Sequence, residues 1–289
     1  MWVLPAILAA ALPSPACDPM PGWEEVARAS EGRYLVLGET HGTVEAPAML
    51  AEYVCALADN GPVLVGIEFT STTNAAFQRA WAAPHGAFRQ TLFAQVSEWG
   101  ERSDGVASTA MLAMLERLHA LKEAGAQIDI VAFNGANGDA QRAAFAGLPG
   151  QEPHEAAQAA NIREAAQGRP YSHVVVLVGS FHAGKQAVTL GGVETRPMAM
   201  LLAERERVLS LAMHTGGGAT WNCQLAVDAD FDPTVPVTDD MVECASHAIA
   251  PNRTERERGF HLDSEMSQHG YDGVFALGPV TASPPPEID

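Results

Sequence analysis

Basic residues are scarce in this chain: 17 Lys and Arg stand against 35 Asp and Glu among 289 residues, a formal net charge of −18. That sign opposes nucleic acid and anionic membrane surfaces as partners, because phosphate contacts need clustered Lys and Arg. It favours solubility and admits neutral or cationic ligands. A membrane-spanning run is also missing, since the apolar stretch Trp2–Leu12 falls short of the roughly 20 residues a helix needs to cross. The four cysteines, Cys17, Cys55, Cys223 and Cys244, contain no Cys-x-x-Cys pair, which argues against a zinc cluster, and no Cys-x-x-Cys-His for haem attachment. Gly-x-Ser-x-Gly is absent, so no nucleophile elbow exists and water is the expected attacker in any hydrolysis. Gly216-Gly-Gly218 lacks both the Lys-Ser/Thr of a phosphate loop and dinucleotide spacing, and reads as a turn. Asp228-x-Asp-x-Asp232 opens like a calcium loop, but Pro233 stands where glycine is required. No long internal repeat divides the chain. With 47% hydrophobic and 18% charged residues, it can bury one large α/β core.

Ser14-Pro-Ala16 places small residues at −3 and −1 of a cleavage site, so residues 1–16 read as an export signal and 17–289 as a single domain. No Lys or Arg precedes the apolar region. Cys17 directly after Ala16 offers a lipid anchor as the alternative, although Ser14 stands where a lipobox usually has Leu. An even cysteine set in a periplasmic or secreted protein implies disulfides. Cys223 and Cys244 flank a Pro- and Asp-rich loop and are the favoured bridge, with Cys17 and Cys55 as the second.

What the chain does have is a repeated design. Tyr34-Leu-Val-Leu-Gly-Glu-Thr-His41 is an apolar run ending in glycine, a carboxylate and an imidazole. His173-Val-Val-Val-Leu-Val-Gly-Ser-Phe-His182 repeats it, with Gly179 and His182 related as Gly38 and His41. Val63-Leu-Val-Gly-Ile-Glu68 ends in another carboxylate. Such runs suit strands covered on both faces of a parallel sheet, and ligands bind beyond the carboxyl ends of such strands. One strand-end histidine is ordinarily structural. Three neighbouring strand ends would bring Glu39, His41, Glu68 and His182 together, as acid–base or metal chemistry requires.

Gly38-Glu-Thr-His-Gly42, Ile67-Glu68 and Val176-Val-Leu-Val-Gly-Ser-Phe-His-Ala183 together resemble the superfamily containing the erythromycin esterases, the ChaN-type haem-binding lipoproteins and the Tiki-type metalloproteases, over roughly residues 34–185. Trp99 to Ser108, with Ala110-Met111, resembles a Trp…Asp-Gly…Ser-x-Ala-Met segment of its secreted members. Two departures stand out: Val106 follows Asp104-Gly105 where an Arg is expected, and an Arg-Asp-x-x-Met-Ala segment is reduced to His154-Glu-Ala-Ala-Gln-Ala-Ala-Asn-Ile162.

The resemblance implies an exported hydrolase acting on a small-molecule or peptide substrate. In a metal-free version His41 is the general base, Glu39 or Glu68 orients it, and His182 steadies the oxyanion or donates a proton. In a metal version Glu39, His41, Glu68 and His182 hold a divalent ion (Mn, Co or Zn), which lowers the pKa of bound water to about 7. The alternative is a haem or ligand binder like the ChaN group, or a non-catalytic relative. Trp99, Asp104, Asn134 and Lys185 are the ligand-binding candidates.

Helices are expected at 45–59, from Thr70–Asn74 through Ala80, after Ser108 to Gly125, at 155–167 and at Arg196–Arg205. Further strands are expected at Ile128–Phe133, Arg207–His214 and Tyr271–Leu277. Helices between strands imply parallel crossovers, hence a three-layer sandwich with a mostly parallel central sheet. Residues 85–107 are a candidate lid, and Trp81, Phe88, Phe93 and Trp99 line either a pocket there or the core. His214 is read as an ordinary edge histidine.

Overall fold

The computed structural model describes residues 16–226 and 241–288; the cleavage-site Ser14 and the Asp228–Asp232 segment lie outside them. Ten strands are described: β1 Tyr34–Glu39, β2 Val63–Thr70, β3 Ile128–Asn134, β4 His173–Gly179, β5 Val188–Leu190, β6 Val193–Thr195, β7 Val208–Leu225, β8 Val242–Ile249, β9 Gly259–Leu262 and β10 Gly273–Val280. The central sheet runs β3-β2-β4-β1-β7-β10-β9, with β8 paired to β7 and β5-β6 forming a separate hairpin. Pairings from β3 through β10 are parallel, whereas β9 and β8 join antiparallel.

Side-chain alternation along the strands builds the layers. Leu35, Leu37, Val175 and Leu177 face a core shared with the helices Glu45–Ala58 and Thr109–Glu123. Val36, Val176 and Val178 face the opposite core, with Ile162 of the helix Glu152–Ala166 and Met198. The expected three-layer, mostly parallel α/β architecture is therefore what forms. Ser108 caps its helix as anticipated, its Oγ accepting from Met111 N at 3.2 Å.

Two expectations need correction. Gly216-Gly-Gly218 is no turn: it lies within β7, which continues to Leu225. Gly217 and Gly218 have φ of 90° and 123°, and a Cβ on Gly218 would fall 2.0 Å from Val280 O, so glycine lets β7 pass close against β10. The helix expected over Arg196–Arg205 shrinks to Met198–Leu202, starting after Pro197, with a 3-10 turn at Arg205–Arg207. Residues 85–107, the candidate lid, are largely ordered into short elements. They fold as helices His85–Gln95 and Glu98–Glu101, with Phe88, Leu92, Val96 and Trp99 in the core.

Both expected disulfides are present, Cys17–Cys55 and Cys223–Cys244. A Cys17 sulfur bonded to Cys55 has no thiol left for a lipid, so bridge and anchor are mutually exclusive. Cys17–Cys55 closes a separation of 38 residues and ties the N-terminal segment to a core helix. Replacing both cysteines by serine is expected to lower unfolding free energy by about 3 kcal/mol, read from urea midpoints, because the unfolded chain regains loop entropy. No helix among the described residues is long and apolar enough to cross a membrane.

Candidate functional site

In the sheet order β2-β4-β1, the three strands that end in Glu or His are neighbours. Glu39 stands opposite Gly179 and Ile67 opposite Leu177, so Glu68 emerges level with the end of β4. Gly38 makes room for the short helix Ser180–Ala183 that carries His182, since a Cβ there would lie 2.7 Å from Ala183 Cβ. Gly179 does the same for the imidazole of His41, whose Nε2 would be 3.0 Å from an added Cβ.

The side chains form one continuous chain. Glu39 Oε1 lies 3.0 Å from His41 Nδ1, and His41 Nε2 lies 3.3 Å from Glu68 Oε2. The other oxygen of Glu68, Oε1, lies 3.6 Å from His182 Nε2, while His182 Nδ1 sits 2.8 Å from Glu155 Oε2. Gly179 N donates to Glu68 Oε2 at 2.6 Å. Two imidazoles thus face one central carboxylate, and each is backed by a carboxylate of its own. The histidine side chains are 22% and 17% exposed against 3%, 8% and 0% for Glu39, Glu68 and Glu155, so solvent and ligands reach the imidazoles first.

The electrostatics are unequal. Burial works against the His41 cation, but Glu68 and Glu39 overcome it and raise the pKa to about 10. Burial also opposes the Glu68 anion, yet His41, His182 and the Gly179 N–H hold its pKa down at about 2. For Glu39 burial outweighs its bond to His41, and its pKa rises. Burial disfavours charge on His182 too, but the bond from Glu155 and the charge of Glu68 leave its pKa raised. The charge near His41 therefore rests on Glu68.

A stability profile follows. The Glu68 contribution is complete above its ordinary 4.5 and is lost as pH falls through about 2; the His41 contribution is complete below its ordinary 6.5 and is lost as pH rises through about 10. The melting-temperature gap between the wild type and Glu68→Gln is thus expected to be widest between pH 4.5 and 6.5 and to close toward pH 10 and pH 2. A gap independent of pH would contradict the ion pair.

No family model matches the chain, and no curated protein matches it significantly. Among solved structures, a succinoglycan biosynthesis protein superposes with TM-score 0.61 at 10% identity, over 93% of both chains. A Bacillus cereus protein gives 0.57 at 11%, over 91% of this chain and 93% of the other. An erythromycin esterase mutant in its open conformation gives 0.53 at 13%, over 91% and 90%. The chain shares its fold with these three proteins.

Within that fold, the segment His154–Ile162, read from the sequence as a reduced motif, turns out to supply the relay's last member. Glu155 is fully buried, and its Oε2 also accepts from Met198 N at 2.8 Å. His154 beside it is exposed, its ring 5.9 Å from that of His182. The legible signal was a polar stripe in an alanine-rich helix: Glu152, Glu155, Gln158 and Asn161 recur every third residue, and all four are buried. A cavity of about 470 Å³ lined by Gly150, Gln151, Pro153, His154 and His182 opens beside the relay.

The other ligand-binding candidates fare differently. Asn134 Oδ1 accepts from Gln158 Nε2 at 2.9 Å, and that nitrogen also lies 2.7 Å from His154 Nε2, so Asn134 supports the rim of the cavity. Trp99 is a core residue packed on Phe69, with ring centroids 5.0 Å apart, and not a pocket wall. Lys185 is buried, donating to Val208 O and pairing with Asp272, and takes no part in the relay. Asp104 accepts both 2.8 and 2.9 Å bonds from Arg102 Nε and reaches the site only through that guanidinium, which donates to Glu68 O at 2.8 Å.

The four-residue metal set does not fit this geometry. Glu39 and Glu68 engage opposite nitrogens of His41, so they cannot share one ion with it. Among the described residues, the group whose donor atoms all lie within 4.8 Å of one another is His154, Glu155 and His182.

Proposed function

We propose that the chain is a metal-independent hydrolase of carboxylic esters in which His182 is the general base. One observation carries this: His182 lines the cavity with its Nδ1 fixed by the buried Glu155 and its Nε2 separated from Glu68 Oε1 by 3.6 Å. That gap exceeds a direct hydrogen bond, so Nε2 is not committed to Glu68 and can accept from a water on the cavity side. A base oriented by a third group is the arrangement that proton abstraction needs.

In this reading His182 Nε2 takes a proton as the water oxygen bonds to the ester carbonyl carbon. The tetrahedral intermediate then breaks its bond to the alkoxy oxygen, and His182 Nε2 returns the proton to that leaving group. Glu155 is a positioning residue that keeps Nδ1 protonated and Nε2 free. His41, with both ring nitrogens engaged by carboxylates, is less suited to accept a proton than the sequence alone suggests. Its cationic form instead holds Glu68 ionised and supplies positive charge beside the developing oxyanion. The depression beside His182 is open to solvent, and the shared fold with an erythromycin esterase favours an ester. The two disulfides favour an oxidising compartment, in keeping with export.

The test is an ester and lactone screen on chelator-dialysed protein, with peptides and haemin in parallel. Ester turnover that persists without metal is the expected result. Turnover restored only by added metal, or stoichiometric haemin binding with no hydrolysis, would overturn this reading.

A further inference from the structure

We infer that His154, Glu155 and His182 form a binding site for a single divalent transition-metal ion of the zinc type, distinct from the Glu39, His41 and Glu68 end of the relay. Two imidazoles and one carboxylate are brought together from two elements: His154 and Glu155 from the first turn of the helix Glu152–Ala166, and His182 from the short helix after β4. Their donor atoms all lie within 4.8 Å of one another. Zinc is held by three such protein ligands plus an open position at sites with bonds of about 2.0–2.2 Å. Imidazole-rich sites also suit nickel and cobalt, whereas calcium and magnesium prefer all-oxygen shells. The fourth position would face the cavity, whose lining includes both histidines.

The surroundings favour an ion over a plain hydrogen-bonded cluster. Metal-bound histidines hand their second N–H to a carbonyl or carboxylate oxygen. Gln158, itself fully buried, touches His154 Nε2 through its amide nitrogen while its Oε1 has no partner. The buried amide fixes the His154 ring at Nε2 and leaves Nδ1 as the nitrogen an ion would take. Glu155 is anchored by Met198 N, so it stays in place when the ion replaces the proton it shares with His182 Nδ1. Binding releases that proton and takes His182 Nδ1 and Glu155 out of the proton relay, so an ion here would inhibit ester turnover; the site itself does not depend on the chain being a hydrolase.

The exposed His154 makes the test clean, because His154→Ala removes one ligand without touching the core. Chelator-dialysed wild type titrated with zinc in a calorimeter, and with cobalt by visible absorption, is expected to bind one ion with release of a proton. His154→Ala should weaken binding by at least about tenfold, with its thermal melt unchanged. His41→Gln should leave metal affinity within about twofold, since His41 supplies no ligand here. Absence of stoichiometric binding by the wild type, equal affinity in His154→Ala, or loss in His41→Gln with retained fold would each overturn the site.

Discussion

His182→Gln is expected to lower kcat on an ester substrate by about 10³-fold, with KM and melting temperature little changed, in line with the usual weight of a positioned general base. The expectation rests on His182 being the imidazole that both lines the cavity and keeps one nitrogen free of direct carboxylate contact. Glu155→Gln should be of similar severity. A Gln amide can donate to Nδ1, which shifts the proton to Nε2 and leaves the base in the wrong tautomer. His41→Gln is expected to cost less in kcat than either. Steady-state kinetics on the three variants, with circular dichroism to verify folding, orders them. If His41→Gln abolishes turnover while His182→Gln retains it, the roles of the two histidines are reversed.

The second large effect is on stability. Glu68→Ala should destabilise the protein by about 3 kcal/mol and abolish turnover. It leaves the partly buried His41 imidazolium without its charged partner, and breaking a fully buried pair from one side costs about 3–5 kcal/mol, so the low end of that range applies. Gly179 N also loses its acceptor. Pairing Glu68→Gln with His41→Gln should cost markedly less than the sum of the two single changes, since neither group is then left charged and alone. Urea denaturation of the four proteins supplies the cycle; strict additivity would mean that the two side chains do not interact.

Much of this was legible in the chain because strand signals and chemistry coincided. Val36, Val176 and their neighbours are apolar on both faces, which marks buried parallel strands, and the polar residues that stop each run are those of the site: Glu39, His41, Glu68 and His182. Their convergence required only that β4 lie between β1 and β2. Glu155 was hidden because its partner is in another element, and an acid near a helix N-terminus has a bland explanation in the helix dipole. Only the threefold spacing with Gln158 and Asn161 distinguished a buried face from a solvated one. Trp99 was left open for the opposite reason: an aromatic residue in an irregular stretch suits a pocket wall or a core equally until Phe69 is seen against it. The length of β7 was obscured by Gly216-Gly-Gly218, which reads locally as a break, whereas the close approach of Val280 turns it into a requirement.

The proton on His182 is the most direct test of the proposed chemistry. In ¹⁵N-histidine-labelled, metal-free protein, brought to a pH at which the ring is neutral, two-bond ¹⁵N–¹H correlation should find His182 protonated at Nδ1 and bare at Nε2, with the Nδ1 signal shifting in Glu155→Gln. An Nε2–H tautomer, unaffected by Glu155→Gln, would contradict the assignment of His182 as the base.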